Sequence, residues 1–108
     1  MVKKGLLVKM IAKPGKAGEV EAFLNSGLAL VNEEPLTVTW YAMKFDDSTF
    51  GIFDTFDSDE GRDAHLNGKV AAALMANAAE LFLEGPTIEK IDIITAKPAE
   101  AKTESSVA

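Results

Sequence analysis

The chain contains a single histidine, His65, so any acid–base step that needs an imidazole must use it. Its unperturbed pKa of about 6.5 suits proton transfer near neutral pH. The competing role is structural, with the ring donating to a carboxylate or a backbone oxygen. Asp54 is the second residue of chemical interest, because it lies between Ile52 and Phe56 on an otherwise apolar strand face. A carboxylate there is costly unless it is paired, solvated or protonated. It is a candidate for orienting His65 or for binding a substrate hydroxyl. The alternatives are pairing with a Lys or Arg across a dimer, or exposure at the strand end. Trp40, Tyr41, Phe50 and Phe56 are candidate walls of a flat aromatic pocket, with core or interface packing as the alternative. Trp40 and Tyr41 are neighbours in a strand and point to opposite faces, so at most one lines a given cavity.

Several other chemistries are excluded by residue types. The chain has no cysteine, which removes disulfides, thiolate metal sites and cysteine nucleophiles. One histidine among scattered acids offers no two-histidine metal spacing, and no acidic loop has a calcium-binding pattern. Gly61 and Gly68 fall within or at the end of a helix rather than in a phosphate-cradling loop. The net charge of −6 and the scattered lysines argue against a nucleic-acid partner, which would need a basic stripe. No apolar run is long enough to span a bilayer, so no membrane partner is expected and the cytoplasm is the expected compartment.

These residues must be positioned by a small set of elements. Leu6 to Lys13 reads as a strand, ended by Pro14-Gly15. Val20, Phe23, Leu24, Gly27, Leu28 and Val31 recur at helical spacing, and Pro35 stops that helix. Leu36–Phe45 and Thr49–Phe56, rich in β-branched and aromatic residues, form a hairpin across Asp46-Asp47-Ser48. Asp57 or Ser58 caps a short helix through Asn67, with Glu60 placed to form a capping box with Asp57. A second helical stretch covers Lys69 to Leu83 and stops at Gly85-Pro86, and a last strand covers Thr87 to Thr95. The order predicts a single α+β domain over residues 1–96, with a ferredoxin-like split βαβ arrangement and a four-stranded antiparallel sheet. Residues 97–108 read as a flexible tail.

Each of the first three strands carries large apolar residues on both faces. One layer of helices covers only one face, so the other predicts an association surface. A second copy of the chain, giving a homodimer through the sheet face, is the expected cover. A monomer whose open face binds a ligand is the rival reading.

The sequence resembles the antibiotic-biosynthesis-monooxygenase-type family of dimeric α/β barrels over roughly Leu6 to Thr95. The resemblance is carried by Lys13-Pro14-Gly15-Lys16, Glu34-Pro35, Phe53-Asp54-Thr55-Phe56 and Ala64-His65-Leu66, in that order. Leu36 stands where the family often has Gly, Asp54 and Phe56 replace Glu and Trp, and Asn67-Gly68-Lys69-Val70 lacks the family's second histidine. Haem-degrading relatives are a poorer fit, since His65 is the sole candidate axial ligand.

The resemblance implies a cofactor-independent monooxygenase that oxidises a small phenolic or quinol-type aromatic with O₂. His65 would be the base in a dry pocket between the sheet and its own helices, and no cofactor would be required. The alternative is a non-catalytic or stress-related dimeric α/β barrel that binds a small aromatic or hydrophobic ligand. A purely structural or partner-binding module is a third class.

Overall fold

The computed structural model describes residues 1–97, so the predicted tail lies outside the described residues except for Lys97. The elements run β1 (Lys4–Ala12), α1 (Ala17–Val31), β2 (Thr37–Lys44), β3 (Thr49–Phe56), α2 (Asp59–Leu66), α3 (Lys69–Leu81) and β4 (Phe82–Asp92). The strands form one antiparallel sheet in the order β2-β3-β1-β4. This is the ferredoxin-like α+β architecture, with β1 and β3 central and β2 and β4 at the edges.

The core follows from the pleat. Leu6, Val8, Met10 and Ala12 alternate along β1 and are all buried, as are Phe50, Ile52, Asp54 and Phe56 along β3. They lie beneath Val20 and Leu24 of α1 and Leu74 and Leu81 of α3, whose helical spacing brings an apolar stripe onto the sheet. The opposite face carries Leu7, Ile11, Tyr41, Met43 and Phe53, and none of the three helices covers it. Tyr41 and Phe45 are each about half exposed there in the single chain. Gly51 also lies on this face, and the Phe45 ring rests where a side chain at residue 51 would sit.

Two predicted boundaries are corrected. The third helix ends at Leu81 rather than Leu83, and β4 begins at Phe82 and runs through Gly85-Pro86 rather than starting after it. Gly-Pro ends a strand only where the ladder needs the missing N–H. Here β4 is an edge strand whose register against β1 shifts between Lys9 and Ile11. Gly85 takes φ +94° at this irregularity, and a Cβ on it would meet the Lys9 carbonyl oxygen at 2.8 Å. Of the two residues expected to cap α2, Ser58 is the N-cap and its Oγ accepts from the Gly61 N–H at 3.2 Å, so the capping box predicted for Asp57 and Glu60 is not the one used. Among the described residues, no helix is long and apolar enough to cross a membrane.

Candidate functional site

The site is assembled where α2, the turn after α1 and the end of β3 meet. Asp59 and Glu60 in the first turn of α2 and His65 in its last turn match the helix dipole, which favours a cation at the C-terminal end. Gly61 lets the helix approach closely, since a Cβ there would lie 3.1 Å from the Leu36 carbonyl oxygen. His65 is thereby turned down onto β3 and is almost fully buried.

Both ring nitrogens of His65 face carboxylates. Nδ1 lies 2.6 Å from Glu34 Oε1 and Nε2 lies 2.8 Å from Asp54 Oδ2. The first contact is a hydrogen bond, and Glu34 Oε1 also accepts from the Thr37 hydroxyl at 2.8 Å. The second has ion-pair distance without hydrogen-bond alignment, so among the described residues neither Asp54 oxygen has a hydrogen-bond partner. Phe56 closes the site from the sheet, its ring centroid 5.4 Å from that of His65. Gly68 leaves room for Glu34, whose Oε2 would stand 3.0 Å from a Cβ at that position.

Burial disfavours a charge on His65, but the Asp54 and Glu34 carboxylates outweigh it and raise the imidazole pKa above its ordinary value. The charged form therefore has a folded partner on each side. The two carboxylates lie on diverging ring nitrogens and cannot converge on one ion through His65. Among the described residues, no cluster of metal-ligating side chains forms.

Sequence reasoning paired His65 with Asp54 and used Glu34 only as a landmark. The second carboxylate was missed because 31 residues separate it from His65 and it lies in a turn, where no periodicity signals direction. Arg62 is buried despite its charge, and Nη1 donates to the carbonyls of Gly5 at 3.3 Å and Ile91 at 3.2 Å. Its Nη2 donates to Asp59 at 3.1 Å, so Arg62 ties α2 to the strand ends beneath it.

The aromatic candidates separate. Trp40 lines a cavity of about 50 Å³ between the sheet, α1 and α3, together with Leu24, Gly27, Ile52, Val70 and Leu74. Phe50 lines a more open groove of about 270 Å³ with Glu21, Met43 and Lys44. Tyr41 is on the opposite face of the sheet, and Phe56 is fully buried against His65. His65 lines neither of these cavities.

Comparison with known proteins gives the fold its place. A crystal structure of the Nitrosomonas europaea protein NE2512, of unknown function, is 52% identical, with a TM-score of 0.88, covering 92% of this chain and 97% of that one. The chain belongs to the same family as that protein. A candidate antibiotic biosynthesis monooxygenase from Chloroflexus aurantiacus is 21% identical with a TM-score of 0.70, covering 89% and 97%. Rv0793 from Mycobacterium tuberculosis is 12% identical with a TM-score of 0.78, covering 89% and 99%. The fold is thus the antibiotic-biosynthesis-monooxygenase type, as the sequence motifs implied. No protein-family model and no curated protein matches the chain.

Proposed function

We propose that the chain is one subunit of a homodimeric α/β barrel that binds a small hydrophobic ligand between its sheet and its own helices. In this reading His65 is a protonated cross-link rather than a catalytic base. The observation that carries it is the placement of a carboxylate at each ring nitrogen, at 2.6 and 2.8 Å. An imidazolium so held has no lone pair with which to take a substrate proton. The cavity beside Trp40 and the uncovered sheet face support the ligand and the partner respectively. Burying a large aromatic contributes about 1.5–3 kcal/mol, so covering Tyr41 and Phe45 together favours association.

Oxygen uptake with a panel of quinols and polycyclic phenols tests the role of His65. Uptake by wild type no faster than buffer is expected. Uptake that His65→Ala abolishes, in a variant that still folds, would overturn the reading. Light scattering tests the assembly, with a dimer expected at micromolar concentration and a stable monomer contradicting it.

The second reading is a cofactor-independent monooxygenase acting on a small phenol or quinol, favoured by solved structures of this fold that are named as candidate monooxygenases. A deprotonated phenol or quinol can pass an electron to O₂ unaided, so the protein need supply only a base and a dry pocket. That reading requires the Asp54–His65 contact to open and let the imidazole reach a ligand. The same uptake assay separates the two.

A further inference from the structure

Edge strand β2 is weakly held. Among the described residues it pairs with β3 alone, its register shifts between Thr37 and Thr39, and none of its residues is fully buried. Its entry is tied to α2 through Glu34, whose Oε1 accepts from the Thr37 hydroxyl at 2.8 Å and meets His65 Nδ1 at 2.6 Å. The ion pair between Glu33 of the same turn and Lys69, at 3.9 Å, is exposed and contributes little. On the far side of the ring is Asp54, the β3 residue directly opposite Trp40 of β2. His65 therefore bridges β3 to the turn entering β2, alongside the ladder that joins the same two strands.

We propose that His65 is a pH-sensitive clamp on β2: on losing a proton the ring releases Glu34, keeps Asp54, and frees the start of that strand while the rest of the sheet stays closed. This rests on the protonated cross-link described above and adds which side of it breaks. An imidazolium donates from both nitrogens, whereas a neutral ring donates from one and presents a lone pair at the other. A lone pair facing a carboxylate is repelled, so one of the two contacts must open. Burial decides which. The Asp54 side chain is 1% exposed and lies within the sheet, where an unpaired charge is most costly. The Glu34 side chain is 18% exposed and lies in a turn that can carry it to water. The remaining proton therefore stays on Nε2. Against the ring's burial, the Asp54 and Glu34 carboxylates are the charges that act on it. The nearby cations are engaged elsewhere: Arg62 of α2 with Asp59 and two carbonyls, Lys4 of β1 with Asp92 and Asp59, and Lys69 of α3 with Glu33.

Hydrogen–deuterium exchange of the full chain tests the clamp, on either side of the His65 midpoint found by nitrogen-15 NMR. Rates are divided by the unstructured-chain rate at each pH, so that what remains is the opening of each strand. Opening of Thr37–Lys44 should rise about tenfold on the alkaline side, the scale of one lost hydrogen bond to a charged group. Phe82–Asp92, the other edge strand, has no tie to His65 and should not change. His65→Gln removes the titrating group and should abolish the difference at β2. Glu34→Gln should open β2 more than wild type in acid, while the ring still titrates against Asp54. Equal opening of both edges, no change at β2, or a neutral wild-type ring with its proton on Nδ1 would overturn the clamp and leave the cross-link standing. A midpoint at or below the ordinary imidazole value would overturn both.

Discussion

Glu34 and His65 are 31 residues apart in the chain, yet Oε1 and Nδ1 meet at 2.6 Å because the turn after α1 and the last turn of α2 converge over β3. Asp54 reaches the other side of the same ring. One imidazole thus joins three separate pieces of the fold, and its charge state becomes a property of their packing.

His65→Ala should therefore be costly, because it leaves the fully buried Asp54 carboxylate without its cation. Breaking a buried charge pair on one side destabilises by about 3–5 kcal/mol, readable as a lower urea midpoint. Replacing Asp54 and His65 together by Leu should restore much of that loss, since no unpaired charge is then buried at β3.

The raised pKa of His65 fixes the direction of a pH effect. The folded-state pKa lies above the unfolded value of about 6.5, so the stabilisation is fully present below about pH 6.5. It is lost as pH rises through the folded pKa. Urea melts of wild type should weaken on the alkaline side of that window, and His65→Gln should lack this component. A wild-type profile that strengthens with pH across the window would contradict the assignment.

Arg62→Ala should destabilise by about 1–3 kcal/mol, because the Gly5 and Ile91 carbonyls lose a buried donor. Thermal melts give the size of the effect. Arg62→Lys should recover only part of it, since an ammonium cannot reproduce the planar fork that also reaches Asp59.

Gly51→Ala probes the uncovered face. Its Cβ would lie 2.7 Å from the Phe45 ring and 3.0 Å from the Val8 carbonyl oxygen. The ring must swing away, at a cost of about 1–3 kcal/mol for overpacking. If this face joins two copies, the variant should also dissociate at higher concentration than wild type in sedimentation.

The fold was legible where periodicity is strong. The alternation of β3 gave its bounds, Thr49–Phe56, and the stripe from Val20 to Val31 gave the first helix its buried side. Glu34-Pro35 and Ala64-His65-Leu66 were read as separate landmarks, although folding puts Glu34 and His65 in contact. Local pattern carries no information about which turn residue meets which helix residue. Gly85-Pro86 misled for a related reason: its meaning depends on whether the strand lies at an edge, which only the sheet order reveals. Arg62 carries no local signal of burial, because charge type suggests exposure while the carbonyls that it meets at the strand ends are long-range partners.

The central claim is that His65 is an imidazolium held between two carboxylates, and nitrogen-15 NMR of its ring tests this most directly. In mild acid both Nδ1 and Nε2 should show protonated shifts, with the midpoint of titration to the neutral form displaced above the ordinary imidazole value. A midpoint at or below the ordinary imidazole value would contradict the cross-link and return His65 to the role of a base.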